Sequence, residues 1–240
     1  MRWLSLCLAL TVAFPAVAQD DPAAAQAEFT KLTKELDDAS KAYRSKMEEI
    51  TSTDEYKELR AKYGETRDQE TLAKLRALTS KVKRPRPADM APSFVAAADK
   101  YAGSEGAVPF LCWIAMRGEA LQAGAALDTI AADHAASPQL EELLETLRYL
   151  GRSVGRDKVR AFATVIIENN PDPTLKATAH YARAQNYGEM EGRRAVLSAA
   201  EEKAREADLA ACVELAPNSI AAMRAEGPTF QEKRLQIGMT

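Results

Sequence analysis

The side chains best suited to nucleophilic, acid–base or metal chemistry here are two histidines, His134 and His180, and two cysteines, Cys112 and Cys212. A metal site needs three or four ligands that converge, usually with short sequence spacings between some of them. The two imidazoles stand 46 residues apart, with no carboxylate pair at ligand spacing beside either. Both are read as structural. His134 falls near a helix end, where the helix dipole favours a partly charged imidazole.

Asp133-His134 hints at two members of a hydrolase triad. No serine lies in the Gly-x-Ser-x-Gly elbow that would expose a nucleophile. The glycine-flanked Gly151-Arg-Ser-Val-Gly155 has neither the spacing nor the lysine of a phosphate loop. Cys112 sits in Phe110-Leu-Cys-Trp113 and Cys212 in Leu209-Ala-Ala-Cys-Val213, apolar helical settings that suit buried thiols acting as small hydrophobes. A disulfide between them would need their Cα atoms within about 7 Å, which spacing alone does not establish. Neither belongs to a Cys-x-x-Cys redox pair. No residue is therefore assigned a catalytic, cofactor-binding or metal-ligating role.

The elements that would position any site are helices. Of the 240 residues, 46% are apolar but only 6% aromatic, and alanine, leucine, glutamate and arginine are abundant. These are the strongest helix formers. Alternating runs of β-branched residues are missing, so no sheet is expected. The fold class is all-α. Residues 22 to 50 place Phe29, Leu32, Leu36, Ala39, Tyr43, Met47 and Ile50 at spacings of three and four, opposite a densely charged face. Shorter stripes follow over 54–63, ended by Gly64, and over 68–82. Such narrow stripes predict a charged helical hairpin or short coiled coil over 19–84, able to pair within or between chains through residues 22–82.

Three prolines between Lys83 and Pro92 mark a boundary. The basic run Lys81-Val-Lys-Arg-Pro-Arg86 is read as a solvated connector. From 85 to 227 the pattern predicts consecutive short helices: 91–101, 105–116, 119–134, one opened by Ser137-Pro138, 157–167, 175–187, and a long helix over 193–215. Leu121, Ala125, Leu127, Ile130 and Ala131 are the expected core face of the third. Trp113 is expected in the core.

The pattern Ala177-x-Ala179-x-Tyr181-Ala182-x-Ala184-x-x-Tyr187 resembles the first helix of a tetratricopeptide repeat, and Ala211-Cys-Val-Glu-Leu-Ala-Pro-Asn218 the end of the second. The segment between them is longer than a standard repeat. The expectation is a helical-repeat-like array with one degenerate pair, offering an extended face to partners.

The first eighteen residues read as an address. Arg2, the apolar run Leu4–Phe14 and Ala16-Val17-Ala18 form a secretory signal peptide cut after Ala18. The run is shorter than the ~20 residues needed to span a bilayer. The mature chain is expected in the periplasm or outside the cell, with no membrane span. Cleavage removes Arg2, leaving 31 Lys and Arg against 35 Asp and Glu. A mildly acidic chain without a concentrated basic face argues against nucleic-acid binding.

Several segments resemble the helical N-terminal region of exported bacterial thioredoxin-like (redoxin) proteins. They are Pro87-x-x-Met90-Ala-Pro-x-Phe94, Ala107-x-Pro-Phe-Leu-Cys-Trp113, Asp133-His134-Ala-Ala-Ser137-Pro138, and the Asn170-Pro-Asp-Pro173 turn into an Ala-Tyr-Ala helix. A bridge from Gly227 to Gly238, with Leu235-Gln-Ile-Gly-Met-Thr240, resembles the lead-in to the first redoxin strand. The resemblance spans most of residues 25–240. It implies that 228–240 is a linker to a thioredoxin-like domain that this chain does not contain, so no catalytic residue is carried over. On this reading the chain is the exported, non-catalytic helical module of a thiol-disulfide oxidoreductase, positioning the redox domain or recruiting protein partners. A free-standing periplasmic helical adaptor is the alternative.

Overall fold

A computed structural model describes residues 21–191 and 194–226. The expected signal peptide, its expected cleavage point after Ala18 and the expected linker over 228–240 lie outside the described residues. Eleven α-helices make up most of the described chain.

Helix α1 (Pro22–Ser52) starts where Asp21 accepts hydrogen bonds from the amides of Ala23 and Ala24, both at 3.0 Å, with Pro22 in the first turn. Thr53 ends α1 and caps α2 (Asp54–Thr66), accepting from the Tyr56 amide at 3.2 Å. The expected stop at Gly64 does not occur. One glycine costs a helix only about 1 kcal/mol, and α2 runs on until Arg67 turns left-handed at φ 54°. Asp68 then caps α3 (Gln69–Thr79).

Helix α4 (Pro87–Lys100) begins inside the proline-rich stretch taken as a break. Pro87 occupies the first turn, where its missing N–H costs nothing, and Pro92 is carried within the helix. A 3₁₀ turn over Glu105–Ala107 leads into α5 (Val108–Arg117), followed by α6 (Ala120–Asp133). Ser137 and Pro138 open a second 3₁₀ turn that continues into α7 (Glu141–Leu150), as expected from that pair. Then come α8 (Arg156–Asn169) and α9 (Pro173–Ala184), the latter capped by Asp172.

The region after α9 departs from expectation. The predicted helix over 193–215 begins only at α10 (Ala199–Leu215), and a short antiparallel ribbon precedes it. Strands β1 (Glu189–Glu191) and β2 (Arg194–Val196) pair Glu189 with Val196 and Glu191 with Arg194. Gly188 sets the ribbon: it has φ +77°, and a Cβ there would lie 2.5 Å from the Val196 carbonyl oxygen. Ser198 and Glu201 form a reciprocal capping box that fixes the start of α10. Helix α11 (Ile220–Ala225) ends the described chain.

One core joins α4 to α9. Phe94, Phe110, Leu127, Ile130, Leu140, Leu143, Leu144, Leu147, Val159, Phe162 and Ile166 are all buried in it. Burying each such side chain contributes about 1.5–3 kcal/mol. Within this body α5 packs on α7, α7 on α9 and α9 on α11, while α6 packs on α8 and α10 on α9. The core face of α6 is Ala123, Ala126, Leu127 and Ile130; Leu121 and Ala125, expected inside, face solvent, and Leu121 is 87% exposed.

The first half of α1 belongs to the same core. Ala25 is buried, and Phe29, Leu32 and Leu36 pack on α4 and α5. Phe29 meets Phe94 and Phe110 edge-on at ring distances of 6.0 and 5.5 Å. Phe94 stacks on Trp113 at 3.6 Å, which places that tryptophan in the core as expected. Gly106 permits the approach, since a Cβ there would stand 2.9 Å from the Ala25 Cβ. Glu28 seals the seam, accepting from Lys100 at 2.6 Å and from the Tyr101 hydroxyl at 3.0 Å.

Beyond residue 36 the picture changes. The second half of α1, α2 and α3 form an arm in which α2 buries no residue and α3 buries only Thr71.

Candidate functional site

His134 terminates α6, its amide bonded to the Ile130 carbonyl at 2.9 Å and its ring buried. The fold brings two further polar groups beside it that sequence spacing does not join. Ser137 donates its hydroxyl to Glu105 at 2.6 Å, and Glu105 stands 4.0 Å from His134 Nδ1. A nucleophile–base pair needs the serine hydroxyl within about 2.6–3.2 Å of the imidazole. Here the serine proton goes to a carboxylate instead, and Asp133 faces solvent. The group works as a clamp. Gln139 donates to the Glu105 carbonyl at 3.3 Å, and buried Asn170 donates to the carbonyls of Ala135 and Ser137 at 2.8 and 3.2 Å. Three loops are locked together, which is the physical content of the Asp133–Pro138 and Asn170–Pro173 segments.

His180 occupies a different cluster, on the seam of α9 and α10. Buried Asp208 accepts from His180 Nδ1 at 2.8 Å and from Arg183 Nε at 2.9 Å, and Arg183 Nη1 donates to the Thr164 hydroxyl at 2.9 Å. Burial alone would raise the Asp208 carboxyl, but hydrogen bonds from His180 and Arg183 outweigh it and hold the carboxyl below its ordinary value. The bond to Asp208 likewise raises Arg183. These bonds tie α8, α9 and α10 together.

The cysteines are buried, free and placed apart: Cys112 in the main core, Cys212 in a smaller cluster with Ala177, Ala221 and Ala222. Burial pushes the Cys112 thiol up to about 12 and the Cys212 thiol up to about 11. Both stay protonated at neutral pH, the opposite of an activated thiolate. Among the described residues no three His, Cys, Asp or Glu side chains gather closely enough to hold a metal ion. No described helix is long and apolar enough to cross a membrane.

What remains are surfaces. A groove of about 370 Å³ runs between α1 and α5, walled by Phe29, Leu36, Pro109, Trp113 and Met116 and rimmed by Gln26, Asp37, Arg117 and Glu142. It opens where α1 leaves the body. From there Tyr43, Met47 and Ile50 continue the apolar stripe along the arm, and Tyr56, Leu59, Tyr63, Leu72, Leu75 and Leu78 face it from α2 and α3; each is only half-buried. The charged faces carry ion pairs within single helices, such as Lys74–Glu70 at 2.7 Å and Lys57–Asp54 at 3.8 Å. Exposed pairs of this kind contribute about 0.3–0.5 kcal/mol each and do not substitute for a core.

No protein-family model, curated protein or solved structure matches the chain. The functional reading therefore rests on its own geometry and on the segments quoted above.

Proposed function

We propose that this chain is an exported, non-catalytic helical module that binds a protein partner through its arm, in the service of a thioredoxin-like thiol-disulfide oxidoreductase. The observation that carries the binding role is the half-covered stripe from Tyr43 to Leu78, continuous with the groove beside Phe29 and Trp113. These side chains have neighbours only within a single layer and each stays partly exposed, and contiguous apolar surface marks interaction sites. The alternation of α5, α7, α9 and α11 in one layer with α6 and α8 in another supports a helical-repeat-like platform behind the arm. The redox association is supported by the resemblance to the helical regions that precede redoxin domains.

Export is supported by the leader-like pattern of Arg2 to Ala18. The raised thiols argue against nucleophilic cysteines, and the Ser137 hydroxyl donates to Glu105 rather than to His134. The module would hold a redox domain or its protein substrate at a fixed distance from the body.

Two measurements test this. The purified chain should fail to reduce insulin disulfides, and replacing both Cys112 and Cys212 by Ala should leave partner binding unchanged. Turnover lost on either cysteine substitution would overturn the reading. The free-standing adaptor shares the arm and differs in its partner: cross-linked partners devoid of thioredoxin-like domains would favour it.

A further inference from the structure

The turn after α7, Gly151-Arg-Ser-Val-Gly155, forms one wall of a second concavity of about 350 Å³, lined by Arg148, Tyr149, Gly151, Arg152, Arg156, Gln185 and Asn186. Every charged side chain in that lining is an arginine. The three recur at four-residue intervals across the end of α7 and the start of α8. This runs against a chain that is acidic as a whole.

Two of the guanidinium groups have unspent capacity. The Nε of Arg148 is buried without a hydrogen-bond partner, and its Nη1 reaches only the Tyr181 hydroxyl at 3.5 Å. Arg152 is exposed and has no carboxylate partner among the described residues. Nearby cations on the body do have carboxylates: Lys158 bonds Asp128 at 2.6 Å and Arg160 bonds Asp157 at 2.6 Å. Arg156 donates to the carbonyls of Tyr187 at 2.6 Å and Gly188 at 3.0 Å, which holds its guanidinium in the wall. Tyr149 is 63% exposed at the rim, with the Arg148 guanidinium 4.4 Å from its ring centre.

We propose that this concavity is a binding site for an acidic peptide segment, with Arg148 and Arg152 pairing its carboxylates and Tyr149 packing on its apolar part. An arginine with an unpaired, desolvated N–H is costly alone and strongly favours an oxyanion that completes its fork. A single phosphate is held best by donors that converge on one point. Arginines spread over nine residues, beside an exposed aromatic ring and the neutral amide of Gln185, suit a row of carboxylates on a peptide. The site lies on α7, α8 and α9, none of which belongs to the arm, so it stands or falls separately from the arm's role.

The test is fluorescence anisotropy of the whole chain with a fluorescein-labelled peptide Glu-Glu-Phe-Glu-Glu and its neutral counterpart Gln-Gln-Phe-Gln-Gln. The acidic peptide should bind, weakening steeply as salt rises, and the neutral one should not. R152E alters an exposed, unpaired side chain and should leave the thermal transition in place while lowering affinity about tenfold or more. R148Q should lower it further. Equal binding of both peptides, or R152E binding as wild type, would overturn the proposal. So would displacement of the acidic peptide by inorganic phosphate at a lower concentration than by free glutamate, which would make this a phosphate site.

Discussion

The body and the arm are built from the same residue types at the same spacings, yet they are held by different means. In the body, stripes from α4 to α9 and the first half of α1 meet on several sides, and Phe94, Phe110, Leu143 and Leu147 lose all contact with water. In the arm, α2 and α3 cover the second half of α1 with one layer only, and the side chains stop half-way to burial. Spacing fixes which face of a helix is apolar. The number of neighbours decides whether that face becomes a core or a surface that can bind.

If this contrast is right, substitutions should separate the two regions by size of effect. The largest loss is expected for Phe94→Ala, which removes the ring at the centre of the Phe29, Phe110 and Trp113 cluster. It should cost about 3–5 kcal/mol, read by urea denaturation through the fluorescence of Trp113. A loss under 1 kcal/mol would break the picture of a single body core.

Next, Asp208→Asn leaves the half-buried Arg183 guanidinium without its counter-charge and should cost about 1–3 kcal/mol. Its pH signature is specific. The Asp208 carboxyl lies below its ordinary value when folded, so the unfolded chain binds the extra proton first. The contribution is present above about pH 4 and is lost as pH falls through the folded value. Asp208→Asn should flatten the acid limb of the stability curve; an unchanged limb would remove the cluster from the account.

Gly188→Ala should cost about 1–3 kcal/mol, because an L side chain would be held at φ +77° against the Val196 carbonyl. The smallest effect belongs to the arm. Leu59→Ala should cost less than about 1 kcal/mol, because a half-exposed side chain loses only part of its transfer energy. A cost near that of Phe94→Ala would mean the arm has its own core and would remove the reason to read it as a binding surface.

The sequence made the helices legible where apolar spacing and cap chemistry agree. Pro22 starts α1, Ser137 and Pro138 open the turn into α7, and Asp172 with Pro173 opens α9. It misled where propensity and tertiary context disagree. The long helix is expected from residue 193, yet Arg194–Val196 pair with Glu189–Glu191 beyond Gly188, whose φ of +77° starts the ribbon. The Ser198-x-x-Glu201 box was the signal for the true start of α10. Pro87 and Pro92 read as breakers, although a first turn absorbs the one and the packed α4 tolerates the other.

The polar clusters were less legible, for a simple reason. His180 and Asp208 are 28 residues apart and meet only because α9 and α10 lie side by side. Glu105 and Ser137 are 32 residues apart and meet because two loops share an end of the body. No local pattern encodes such pairs. The arginines at 148, 152 and 156 did carry a periodic signal, masked by the glycines around them.

The most direct test of the central claim is photocross-linking in the cells that make the protein. Benzoylphenylalanine would be placed at Met47 on the arm and, in a separate chain, at solvent-facing Leu121 on the body. The account predicts that Met47 captures a discrete partner bearing a thioredoxin-like domain and that Leu121 captures none. Capture of the same proteins from both positions, or of nothing from Met47, would contradict it.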